Sequence, residues 1–167
     1  MRPGPAERQA LSRPRTRCQM DAMTRATHPD AIPVGYKRMG ETEGFIGLAG
    51  PYYWRDTGAG AVEYGFRAEA RHGNPNGVLH GGSLTTFMDT VLGYEVIRVT
   101  GRRCATISLN TEFLAGGRAG DWITGKVRIR KLTGSMAFLD GEVWAEDVLV
   151  VLNTAIFRLF RHEGTPH

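Results

Sequence analysis

"GGSLTTFMDTVLGYEVIRVTGRRCATISLNTEFL", residues 81–114, changes its hydrophobic period near its middle. Up to residue 99 the large apolar residues Leu84, Phe87, Met88, Val91, Leu92 and Val96 recur three and four apart, the spacing of one face of an α-helix. No proline interrupts residues 83–99, so the pattern predicts one long helix that TGRR at 100–103 closes. From residue 105 the period is two. Residues 105–114, 122–132, 136–146 and 148–160 read as strands. GGRAGD (116–121) and TGS (133–135) supply turns between them. In WITGKVRIRKL (122–132), Ile123, Val127 and Ile129 alternate with Thr124, Lys126, Arg128 and Arg130.

Before the helix, AVEYGFRAEA (61–70) alternates as a half-buried strand, with Val62, Tyr64 and Phe66 on one side and Glu63 and Arg67 on the other. RHGNPNG (71–77) is turn chemistry. GFIGLAGPYYWRD (44–56) gathers Tyr52, Tyr53 and Trp54 beside Pro51, either as core and edge packing or as a lid over a site. One strand, one long helix and four antiparallel strands, with no internal repeat, give an α+β domain whose helix packs on one sheet face.

The bulk numbers set bounds. With 167 residues, 41% hydrophobic and 23% charged, the chain suits one globular domain, taken as residues 31–167. No apolar run approaches the ~18–20 residues that span a bilayer, and no secretory leader pattern opens the chain, so a cytoplasmic location without membrane contact is expected. Six arginines against three acids put +3 of the formal +4 into residues 1–30. That segment reads as a disordered basic extension, or as residues before a later start at Met20 or Met23. The rest is close to neutral, so no nucleic-acid surface is expected on the folded part. Cys18 and Cys104 form no CxxC or Cys/His cluster, so neither a metal site nor a disulfide is expected.

The chemistry concentrates in NPNGVLHGGSLTTFMDT (74–90). Gly81 and Gly82 open the helix, where backbone N–H groups lack partners and the dipole adds positive charge, and glycine lets another atom come close. Such a place suits an anion or an oxyanion. His80 either donates to a carbonyl or packs the loop. Asn74 either orients a ligand or makes an Asx turn ahead of Pro75. Asp89 is either an exposed acid on the polar stripe with Thr86 and Gly93 or a buried acid that needs partners. It lies seven residues past Gly82, roughly 10 Å along the helix, so the two reach one reacting carbon only if two helices meet across a two-fold axis.

Asn74, Gly77, His80, Gly81, Gly82 and Asp89 closely resemble the signature of hotdog-fold acyl-CoA thioesterases of the PaaI and 4-hydroxybenzoyl-CoA thioesterase-like group. TISLNTEFLAGGRAGD and FLDGEVWAED resemble later strands of that group, and the likeness runs over about residues 45–160. The resemblance implies a long central helix wrapped by an antiparallel sheet, assembling as a dimer or dimer of dimers with the active site shared between subunits. It implies hydrolysis of an acyl-CoA thioester to acid and CoA, without metal or cofactor. Asp89 would be nucleophile or general base. Gly81, with Gly82, would offer N–H to the thioester oxygen, and Asn74 and His80 would position thioester and water. Thr106 stands where some members hold water with a serine. Arg128, Arg130, Lys131, Gly134 and Ser135 would meet the CoA moiety, or would form a solvated strand face. A hotdog hydratase or dehydratase fits the HGG-then-Asp order less well. A non-catalytic acyl-CoA sensor is the alternative, its basic start meeting DNA, although that segment is too short for a helix-turn-helix. The acyl group stays open between aryl, phenylacetyl-like and medium-chain, with Phe87, Tyr94 and Tyr52–Trp54 as wall or core.

Overall fold

The computed structural model describes residues 31–40 and 43–161. The basic segment 1–30 and Cys18 lie outside the described residues. In chain order the elements are β1 (Lys37–Arg38), α1 (Gly44–Ala49), β2 (Tyr53–Gly58), β3 (Ala61–Arg67), a 3-10 turn (Ala70–His72), α2 (Gly81–Thr100), β4 (Cys104–Phe113), β5 (Trp122–Leu132), β6 (Met136–Ala145) and β7 (Val148–Leu159). The strands form one antiparallel sheet in the order β1-β2-β3-β5-β6-β7-β4, so β4 follows α2 in sequence but occupies an edge. The expected α+β architecture is present, with α2 packed on one face of the sheet.

Helix α2 buries the residues its period selects: Leu84, Phe87, Met88, Val91, Leu92 and Val96. Burying one such side chain stabilises by about 1.5–3 kcal/mol. The sheet makes room for the two largest with glycine. A Cβ on Gly125 would lie 2.8 Å from the Phe87 ring, and one on Gly141 would lie 2.2 Å from Met88 Cε. The helix ends at Gly101, whose positive φ of 64° and N–H to the Ile97 carbonyl close the last turn. Among the described residues no helix is long and apolar enough to cross a membrane.

Three short elements, β1, α1 and β2, were not separable in the sequence. Strand β2 pairs with β3 from Tyr53 to Gly58, but the register shifts between Asp56 and Gly58 and hides the alternation. The aromatic cluster is core and edge rather than lid. Tyr52 is buried edge-on between Phe66 and Phe87, with centroids at 5.6 and 5.2 Å. Phe87 is wholly buried and Tyr94 packs against the core.

One buried acid was unforeseen. Glu95 lies on the apolar stripe of α2, accepting from Tyr64 Oη at 2.8 Å and from Arg98 at 2.7 and 2.8 Å. Arg98 also donates to the Gly60 carbonyl. The network ties the C-terminal half of α2 to the β2–β3 turn and satisfies a carboxylate that burial alone would penalise. Burial, and then Glu95, push the Tyr64 phenol far above its usual range.

Candidate active site

Residues 69–80 lead from β3 into α2. The loop is fixed by its own backbone: Asn74 N–H donates to the Val78 carbonyl, Gly77 N–H to the Asn74 carbonyl, and Leu79 N–H to the Gly117 carbonyl. Gly77, with φ at 77°, takes the left-handed position. Asn74 Oδ1 accepts from Asn76 N–H at 2.8 Å, an Asx turn, so one half of its amide shapes the loop. The NH2 half has no acceptor among the described residues.

His80 caps α2. Its Nδ1 accepts from Gly82 N–H at 2.9 Å, which puts the ring proton on Nε2. Its carbonyl accepts from Ser83 and Leu84 N–H. The Gly82 amide is therefore spent on the cap. Gly81 N–H is the donor at this helix start that has no acceptor among the described residues. Gly81 is glycine for a second reason: a Cβ there would lie 2.9 Å from the Phe113 ring, which stands 55% exposed beside it.

Helix α2 runs antiparallel to β4. Phe113 meets Gly81, Thr106 meets Asp89, and Cys104 Sγ meets the Gly93 carbonyl at 3.6 Å. Asp89 is exposed, so of its two sequence readings the polar stripe is the one observed. Thr106 Oγ1 donates to its Oδ1 at 2.7 Å and fixes the carboxylate, leaving Oδ2 unpartnered among the described residues. A register shift between Thr106 and Ser108 in the pairing with β7 accompanies this contact. Burial first, and the Asp89 charge second, raise the Cys104 thiol and keep it protonated.

The expected site residues thus form three groups in one chain. Asn74, His80, Gly81 and Gly82 surround the start of α2, and Asp89 with Thr106 lies two turns further along. The third group, on β5 and the following turn, is divided. Arg128 and Arg130 line a concavity of about 480 Å³ on the sheet face away from α2. Acids on the neighbouring strand β6 line it too, Asp140 directly across from Arg128 and Glu142 across from Lys126, and Arg130 is ion-paired to Asp140. Lys126 sits over the Trp144 ring in the same region. Lys131, Gly134 and Ser135 are exposed. The Gly134 carbonyl accepts from Arg102 and the Ser135 carbonyl from Leu159 N–H, so this turn is spent on the end of β7. Among the described residues no group of three His, Cys, Asp or Glu is placed to hold a metal.

His72, Ser83 and Phe113 touch the helix start and were not singled out from the sequence. A hydroxyl at Ser83, directly after the glycine pair, is the one signal that was available.

Residues 76–152 match the thioesterase superfamily. A candidate esterase of Pseudomonas aeruginosa is 28% identical over 130 residues, 77% of this chain and 97% of that protein. A candidate thioesterase of Ralstonia eutropha, described as related to phenylacetic acid degradation, is 28% identical, covering 68% of this chain and 87% of its own, with a TM-score of 0.61. A hypothetical thioesterase of Streptococcus pneumoniae, solved with coenzyme A, is 21% identical, covering 65% and 85%, with a TM-score of 0.60. The fold is that of these proteins, and the resemblance read in residues 74–89 leads to the same group.

Proposed function

From a hotdog domain that matches the thioesterase superfamily over residues 76–152, we propose that this protein hydrolyses acyl-CoA thioesters to the free carboxylic acid and CoA. The observation that carries the reading is the Asp89–Thr106 pair: an exposed carboxylate, oriented through one oxygen and open at the other. CoA in the Streptococcus pneumoniae relative supports CoA as the thiol.

The thioester carbonyl oxygen accepts from Gly81 N–H, with the partial positive charge of the α2 start behind it. His80 Nε2–H and the Asn74 NH2 orient the thioester and the attacking water. Asp89 Oδ2 takes a proton from that water as its oxygen bonds to the carbonyl carbon. The tetrahedral intermediate collapses, the C–S bond breaks, and the proton held by Asp89 passes to the CoA thiolate, which restores the carboxylate. In the nucleophilic variant Asp89 itself attacks, CoA leaves, and water opens the mixed anhydride. Water is the only co-reactant in either route. Label in the Asp89 carboxylate after single turnover in ¹⁸O-water would establish the nucleophilic route, since it enters there only if Asp89 attacks and water then opens the anhydride at the Asp89 carbon.

Eight residues separate Gly81 from Asp89, roughly 12 Å of helix. A single chain therefore cannot apply both to one carbon. The reading requires a second copy whose Asp89 faces the first copy's Gly81. Arg128, Arg130 and Lys131 are proposed for the CoA phosphates, with Arg128 the foremost because Arg130 is already paired.

The test is thiol release from a panel of aromatic and aliphatic acyl-CoAs. Wild type should release CoA, and Asp89→Ala should lose about 10²–10⁴-fold in kcat while remaining folded. A variant within a few-fold of wild type removes Asp89 from the chemistry. Tight acyl-CoA binding with no release by wild type makes the protein an acyl-CoA-binding module instead.

A further inference from the structure

The loop that delivers His80 to the helix start is clasped to α1 by two adjacent side chains. Arg71 donates from Nη1 to the Leu48 carbonyl and from Nη2 to the Gly50 carbonyl. Between them, His72 Nε2 donates to the Ala49 carbonyl at 2.9 Å. Three consecutive carbonyls at the end of α1 are thus taken by residues of the site loop. His72 Nδ1 accepts from Glu69 N–H at 2.9 Å, and its ring stands edge-on to Phe66, centroids 5.1 Å apart. The side chain is buried, with both nitrogens spent.

The same residue reaches the other way through its backbone. The His72 carbonyl accepts from His80 N–H at 2.8 Å and from Ser83 Oγ at 3.0 Å. Those two donors flank Gly81 and Gly82. His80 in turn holds Gly82 N–H. A displacement of His72 therefore moves His80, the cap and the amide of Gly81 together.

Resting on the hydrolytic reading above, we propose that His72 is a positioning residue for this site, fixing His80 and the Gly81 amide against the end of α1. Histidine suits the place because it offers one acceptor and one donor on opposite sides of a flat ring. Asparagine can replace only the acceptor toward Glu69 N–H, glutamine only the donor toward the Ala49 carbonyl, and alanine neither. Leaving either partner buried and unpaired loosens the loop.

The experiment joins amide exchange, read by mass spectrometry on peptides covering residues 78–84, with steady-state thiol release, in wild type, His72→Ala, His72→Asn and His72→Gln. His72→Ala should speed exchange in 78–84 while the β6 and β7 peptides stay protected. It should lower kcat by on the order of 10–100-fold, as displaced catalytic groups do, with KM little changed. The Asn and Gln variants should each recover part of both effects. Unchanged exchange in 78–84, or loss spread evenly over the sheet, overturns the proposal, as does an unchanged kcat in an active enzyme. If wild type releases no thiol from any acyl-CoA, the hydrolytic reading falls by itself, and the exchange pattern still decides whether His72 sets the helix start.

Discussion

Asp89 and Glu95 are two acids on one helix, and their environments separate their roles. Glu95 falls on the apolar stripe, four residues past Val91, and is buried with Tyr64 and Arg98. Asp89 falls one step off that stripe and is exposed. The motif pointed to Asp89 as the telling acid, but periodicity left its burial open, because a stripe edge differs from its centre by one position. Thr106 was legible only through the resemblance, since the strand period gives no sign of the register shift beside it. Removing its hydroxyl tests the orientation of Asp89: Thr106→Val should lower kcat about tenfold, the worth of one hydrogen bond to a charged group, and Thr106→Ser should restore most of it. His72 gives a second prediction at this scale. Burial, the largest influence, holds its folded pKa below the ordinary 6.5. The unfolded chain then binds more protons than the folded one in the window between the two values. Stability should therefore be unaffected by this group above that window and fall as pH drops through it from about 6.5. In His72→Asn that part of the slope should vanish from thermal melts across the same range.

At the scale of elements, α2 and β3 to β7 were readable because each holds one period over seven or more residues. Strands β1 and β2 and helix α1 were not, being two to six residues long and crowded with aromatic residues and glycine. What no period discloses is the fit between layers. Gly125 and Gly141 read as weak points of their strands, yet they are the seats of Phe87 and Met88. Gly141→Val should cost about 1–3 kcal/mol in urea unfolding, as overpacking of a filled core does. Tolerance of valine at 141 would mean that α2 does not sit in this notch.

At the scale of the molecule, β4 leaves a sheet edge unpaired among the described residues, with Ile107 at 53% and Phe113 at 55% exposed. An apolar open edge calls for a cover, and the distance between Gly81 and Asp89 calls for a second chain. We propose that one association of two copies meets both needs. Ile107→Lys should shift the protein toward monomer in light scattering and lower thiol release in step. The shared site itself is tested most directly by mixing subunits. Asp89→Ala and His80→Ala are each assayed alone, then unfolded together in equal amounts, refolded and assayed against a panel of acyl-CoAs. Under random two-fold pairing half the dimers are hybrids, each with one intact site, so the mixture should reach about a quarter of wild-type thiol release from two nearly inactive parents. A mixture no more active than the mean of its parents would contradict a site built from the helix start of one chain and Asp89 of the other.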